Sequence, residues 1–202
     1  QKDVVLVWAF FFTKLTNDGD GTANGGYNFT GVDKWSEKIV PDGDIFSLDK
    51  LFVPINEHKT HWLVVVVFFD QKRIAVFDSM HSGKGENYLR IVFRYIQDEH
   101  RRKHETELTE KEKWKLVTSK ATAPHQSNCE SFKTKQKIMS LSPSLSHTHT
   151  TYFCVAAYDC GLFMILTCDF LSLDIPPIFT QSDVAHCRKR TALSILLHEY
   201  KL

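Results

Sequence analysis

The 202-residue chain has almost no net charge. Its 25 Lys and Arg residues nearly balance 24 Asp and Glu residues, which leaves a formal charge of +1. Binding to nucleic acid or to an anionic membrane surface through charge requires a clear basic excess. The composition therefore gives no indication of either, and we expect neither nucleic acid nor membrane among the partners.

Long apolar runs are also missing. Residues 4–12 are strongly apolar, but they fall well short of the ~20 residues that span a bilayer. The small residues suited to signal-peptide cleavage do not follow them. We interpret this stretch as a buried element of the fold. The chain begins at Gln1 without methionine, and we expect its N-terminal part to be incomplete.

Cysteine is sparse and irregularly spaced. Five cysteines, an odd number, argue against a disulfide framework, and no Cys/His spacing is typical of zinc. We expect an intracellular protein of the nucleus or cytoplasm, without metal or other cofactor. With 43% hydrophobic residues, the chain can bury one sizeable core, so we predict a single, monomeric domain over residues 1–202.

The regular elements are predicted by apolar patterning. Residues 51–55 are typical of a strand, and residues 61–69 form a β-branched run typical of a central strand buried on both faces. Residues 73–78 return as its hairpin partner, and residues 114–117 predict a further short strand. Helices are predicted over residues 32–40, 87–103, 162–166 and 182–200.

Three residues stand where nucleophilic chemistry would need them. The hairpin brings His61, at the start of one strand, near Asp78, at the end of the next. Cys160 lies just ahead of an apolar helix, where unpaired N–H groups and the helix dipole favour a thiolate. A nucleophile, a base and an orienter of the base are the components of a catalytic triad. Cys168, further along the same helix, is expected to be a core residue.

Seven short segments then point to one family. They are Phe11-Phe12-Thr13-Lys14-Leu15, Asp49-Lys50-Leu51-Phe52-Val53-Pro54-Ile55-Asn56, Thr60-His61-Trp62, Phe77-Asp78-Ser79-Met80, Pro124-His125-Gln126-Ser127-Asn128, Tyr158-Asp159-Cys160-Gly161 and Arg188-Lys189-Arg190. In this combination the chain resembles the catalytic domain of the ubiquitin-like protein proteases, the SUMO-specific (sentrin-specific) cysteine proteases.

The resemblance implies an α+β, papain-like cysteine protease fold with a central mixed sheet flanked by helices. It also implies cleavage after the C-terminal Gly-Gly of SUMO or a related ubiquitin-like modifier. By position, Cys160 would be the nucleophile, His61 the general base and Asp78 its orienter. Gln126 would help to form the oxyanion hole, and Trp62 would be one wall of the narrow channel for the two glycines.

One stretch departs from the family pattern. Residues 129–157 stand where the family has about one glycine, and we interpret them as a lineage-specific insertion or as a translated retained intron. The insertion leaves open a catalytically impaired domain that binds the modifier without cleaving it. A deneddylating or deubiquitinating enzyme of the same fold also stays open, because nothing in the sequence distinguishes between the modifiers. The presence of all four expected catalytic residues favours the enzyme.

Overall fold

The computed structural model describes residues 3–17, 26–40, 42–81, 83, 85–118, 123–126 and 159–197. Residues 129–157, the expected insertion, lie outside the described residues, as does Tyr158. The described strands are β1 (Val4–Leu6), β2 (Lys50–Glu57), β3 (His61–Phe68), β4 (Arg73–Phe77) and β5 (Lys115–Val117). The helices are α1 (Phe11–Leu15), α2 (Trp35–Ile39), α3 (Gly85–His104), α4 (Cys160–Ser172) and α5 (Val184–Leu196).

The five strands form one mixed sheet in the order β1-β2-β3-β4-β5. The inner pairs β2–β3 and β3–β4 are antiparallel, and the outer pairs β1–β2 and β4–β5 are parallel. The apolar β3 is the central strand, as its sequence predicts, and β4 is its hairpin partner. The register pairs Val64 with Phe77, which brings the start of β3 and the end of β4 to one end of the hairpin.

Each face of the sheet is covered. Alternate residues of β2, β3 and β4, including Val53, Val65 and Val76, pack against α1 and α3 in the larger core. The intervening residues, including Phe52, Val64 and Val66, pack against Leu171 and its neighbours on α4. This arrangement explains why β3 lacks polar residues between Leu63 and Phe68: neither of its faces meets water.

Two helices differ from the sequence-based expectation. The apolar stretch 162–166 predicts a buried helix, but α4 is amphipathic in its contacts. Cys160, Phe163, Thr167 and Leu171 are buried, whereas Ile165 is exposed. The last helix starts at Val184, after the 3-10 turn Gln181–Asp183, which Thr180 caps. Its expected end at residue 200 lies outside the described residues.

The N-terminal stretch 4–12 is not one buried element, so that prediction was wrong. It divides into the edge strand β1 and the start of α1, and Leu6, Trp8 and Phe10 between the buried positions are exposed. Exposed and buried side chains alternate here as in a strand, but the sequence does not show this alternation because the exposed residues are also apolar. In the part of the chain that the structure describes, no helix is long and apolar enough to cross a membrane.

Candidate active site

The hairpin brings His61 and Asp78 into direct contact. His61 Nε2 lies 2.7 Å from Asp78 Oδ1, and both side chains are almost completely buried. The backbone N–H of Met80 also donates to Asp78 Oδ1, over 2.9 Å. With the carboxylate held by the Met80 N–H, Asp78 can fix the orientation of the imidazole and stabilise its protonated form.

Cys160 is the first residue of α4, and the helix places it beside the start of β3. Its Sγ accepts a hydrogen bond from the Trp62 backbone N–H over 3.4 Å, and the residue is only 4% exposed. The N–H groups of the first helical turn have no carbonyl to bond within the helix. They therefore place positive partial charge around the thiol, which favours the thiolate.

The electrostatics of the two side chains are coupled. Burial lowers the pKa of His61, but hydrogen bonding to Asp78 and the interaction with Cys160 outweigh it and raise the pKa to about 9. For Cys160, burial acts to raise the pKa, yet the interactions with His61 and the Trp62 N–H lower it overall. Because His61 Nε2 is occupied by Asp78, Nδ1 is the ring nitrogen left for the thiol proton. The arrangement favours a thiolate–imidazolium pair.

Gln126 is held by Ser79, the residue after Asp78. The Gln126 N–H donates to the Ser79 carbonyl over 2.8 Å, and its side-chain Oε1 accepts from the Ser79 hydroxyl over 3.3 Å. Gln126 is buried. Since its oxygen is turned towards Ser79, the amide nitrogen is the end of the side chain that can donate to a developing oxyanion.

Trp62 covers the start of α4. A Cβ placed on Gly161 would lie 3.5 Å from Trp62 Cδ1, so the indole stands about one methyl group away from the backbone of the residue after Cys160. A small pocket continues from the indole between the sheet and α4; its lining includes Ser79, Pro124, Phe163 and Thr167. The role of Trp62 as a channel wall stays a prediction.

Cys168, on the same helix, has a different environment. It packs against the core under the sheet, and burial raises its pKa to about 12. A thiol with such a pKa stays protonated at neutral pH and is a poor nucleophile. Over the residues that the structure describes, no group of three or more His, Cys, Asp or Glu side chains could hold a metal ion.

Sequence reasoning left two groups without a role. Ser79 orients Gln126, and in the sequence it is recognisable only as a member of the segment Phe77-Asp78-Ser79-Met80. Asp159, which immediately precedes the nucleophile, accepts a hydrogen bond from Gln181 over 2.9 Å and forms an ion pair with Arg188. For the second group the sequence shows only an acidic residue beside Cys160 and a basic cluster in the last helix, with nothing to pair them. Only the fold shows that they meet.

The comparison with protein families agrees with this fold. The chain belongs to the Ulp1 protease family: the family's C-terminal catalytic domain matches residues 1–131. This match includes His61, Asp78 and Gln126 but ends before Cys160. Cys160 lies in the part of the chain that only the longer pairwise similarities and the fold comparison cover.

Relatives match along nearly the whole chain. Ubiquitin-like-specific protease 1A of Arabidopsis thaliana is 28% identical over 187 residues, which cover 93% of this chain and 30% of that protein. Human Sentrin-specific protease 2 is also 28% identical over 187 residues and 93% of this chain, but over 24% of its own length. The chain thus spans well under half the length of these curated relatives.

Solved structures show the same fold. The C-terminal Ulp1 protease domain, in a complex with Smt3, the yeast ortholog of SUMO, superposes with a TM-score of 0.68. The similarity covers 98% of this chain and 70% of that one, at 22% sequence identity. Ulp1 with its catalytic cysteine oxidised to a sulfenic acid gives a TM-score of 0.67 at the same identity. The predicted α+β fold is confirmed.

Proposed function

We propose that the chain is a cysteine protease and isopeptidase that cleaves after the C-terminal Gly-Gly of SUMO or a related ubiquitin-like modifier. The observation that carries the proposal is the contact of His61 with Asp78 at 2.7 Å, with the Cys160 thiol at a helix start beside them. Membership of the Ulp1 protease family and the names of its relatives supply the substrate class.

In this mechanism the Cys160 thiolate attacks the carbonyl carbon of the terminal glycine. The oxyanion that forms accepts hydrogen bonds from the Gln126 amide and from the backbone N–H at the start of α4. When the C–N bond breaks, the leaving amine takes the proton of the His61 imidazolium. Neutral His61 then removes a proton from water, which attacks the thioester and releases the modifier's carboxylate together with the thiolate.

Trp62 supplies selectivity in this proposal. Its indole stands beside the residue that follows Cys160, where it would restrict the width of the channel that leads to the thiol. Two consecutive glycines at the end of the substrate fit that restriction. We also propose an intracellular site of action in the nucleus or cytoplasm, which the free thiols of Cys160, Cys168 and Cys187 support.

The test is covalent labelling by a SUMO probe with a C-terminal electrophile. The wild-type chain should be labelled, Cys160→Ser should not, and Cys168→Ser should react like wild type because that thiol is protonated in the core. Parallel probes made from NEDD8 and ubiquitin test the related modifiers.

Two results would contradict the proposal. Equal labelling of the two serine variants would show that Cys160 is not the nucleophile. A wild-type chain that binds SUMO but neither reacts with the probe nor cleaves a SUMO–fluorophore conjugate would instead be a binding domain.

A further inference from the structure

We propose that Arg188 is a positioning residue that holds Asp159, and through it the Cys160 thiol, in the orientation that faces His61. The inference rests on the function proposed above but concerns a contact outside the His61–Asp78–Cys160 set. It links α5 to the start of α4, two elements whose sequences do not predict an interaction.

Asp159 lies where its side-chain contacts can influence the orientation of Cys160. It is the residue immediately before Cys160 and the N-cap of α4, yet its side chain makes no capping hydrogen bond to the helix. Its two carboxylate oxygens turn away from the helix instead. Oδ2 accepts from Gln181 Nε2 over 2.9 Å, and Oδ1 is paired with Arg188.

The backbone of Asp159 is fixed as well, because its carbonyl accepts the Phe163 N–H over 2.9 Å. A side chain held by α5 and a carbonyl held by α4 leave the peptide between Asp159 and Cys160 little freedom to rotate. That peptide sets the direction of the Cys160 Cα–Cβ bond. A reacting group misplaced by only ~1 Å can lose ~10² in rate.

The positive charge of Arg188 also affects the electrostatics of the Cys160 thiol. The Asp159 side chain is 10% exposed, so its carboxylate is largely removed from water, whereas Arg188 is 55% exposed. Without the guanidinium, a poorly solvated carboxylate would stand next to the residue that must become a thiolate. Like charges disfavour ionisation, so loss of Arg188 should raise the pKa of the Cys160 thiol.

The other end of α4 offers a useful contrast. Asp174, just beyond the helix, is paired with the buried Lys50 at the start of β2. This ion pair ties the C-terminal end of α4 to the sheet, about 20 Å along the helix from Cys160 at 1.5 Å per residue. It should therefore affect the stability of the helix without affecting the thiol.

The experiment measures alkylation of Cys160 by iodoacetamide across pH in the full chain, with the modified peptide quantified by mass spectrometry. Arg188→Met should slow alkylation at pH 7 by about tenfold, within the range for coupled neighbours, and should move the rise in rate to higher pH. Arg188→Lys keeps the charge and should restore most of the rate at the original pH.

Two matched controls separate positioning from stability. Arg190→Met makes the same change on the exposed side of α5, where Arg190 has no ion pair among the residues the structure describes, and it should leave the profile unchanged. Lys50→Met should lower the melting temperature but leave the alkylation profile at its wild-type position.

A folded Arg188→Met chain with the wild-type profile would overturn the inference, and so would Arg188→Lys behaving like Arg188→Met. If Arg188→Met does not fold, the alkylation profile of Asp159→Asn tests the inference instead. This substitution removes the charge and replaces one of the two acceptor oxygens with an N–H donor, so Arg188 and Gln181 cannot both keep their hydrogen bonds and the alkylation profile must differ from wild type. Because iodoacetamide needs no modifier, failure to cleave SUMO would refute the proposed function without deciding this one.

Discussion

The buried carboxylate of Asp78 should determine the pH range over which the enzyme works, and Asp78→Asn tests this. In the wild type, hydrogen bonding to Asp78 is the main interaction that overcomes the effect of burial on His61. Asparagine keeps the shape of the side chain and can still accept a hydrogen bond from the ring, but it carries no charge. Burial then acts unopposed by a carboxylate, and the imidazolium is destabilised.

The size of the effect follows from the pKa of His61. Raising that pKa from 6.5 to about 9 corresponds to about 3 kcal/mol in favour of the charged ring. The thiolate–imidazolium pair exists above the lowered pKa of Cys160 and below about 9. Asp78→Asn should lower the upper limit, because His61 loses its proton sooner. It should raise the lower limit, because the thiolate loses its cation. We expect kcat/KM at neutral pH to fall by about 10²–10⁴.

The assay is kcat/KM for a SUMO–fluorophore substrate between pH 5 and pH 10, with iodoacetamide alkylation of Cys160 measured over the same range. The bell-shaped profile of Asp78→Asn should be narrower on both sides than the wild-type profile. Cys160→Ser gives the background alkylation of the other four cysteines. An Asp78→Asn profile with both limbs at the wild-type pH would refute the reasoning, even if its height were reduced.

Further predictions concern the approach to the thiol and the oxyanion. Trp62→Ala should lower kcat/KM on Gly-Gly substrates and relax the exclusion of Gly-Ala substrates; an unchanged preference in a SUMO–fluorophore assay would contradict its role as a channel wall. Replacing residues 129–157 with one glycine should raise kcat, because a short link restricts the position of Gln126. The melting temperature should change little, because the entropy of loop closure grows only slowly with loop length. Gln126→Ala should lower kcat by about 10²–10³ in that shortened chain; no effect of either change would exclude Gln126 as the oxyanion donor.

The central part of the fold could be predicted from the sequence because its signals are local. The β-branched run of β3 has no polar residue to place on a solvent face, so both faces had to be covered. The short turn after Phe69 leaves only a hairpin for β4. The contact of His61 with Asp78 follows from that hairpin register, without any long-range information.

The remaining contacts could not be predicted because they join distant segments. Nothing near Asp159 in sequence indicates that its charge meets Arg188, and nothing near Gln126 indicates that Ser79 holds both its backbone and its side chain. The exposure of Trp8 and Phe10 could not be predicted for another reason: residue type alone does not distinguish an aromatic side chain at the surface from one in the core. The roles of His61, Asp78, Cys160, Gln126 and Trp62 stay predictions that the experiments above test.

The sequence separations within the site imply an order of assembly. His61 and Asp78 are 17 residues apart, whereas Trp62 and Cys160 are separated by 98. Closing the longer loop costs more entropy, and contacts distant in sequence form later during folding. During synthesis the base and its carboxylate can meet while the nucleophile has yet to leave the ribosome. A nascent chain that ends before α4 would therefore hold the base and its carboxylate but lack Cys160, so that proteolytic activity begins only when synthesis has passed α4.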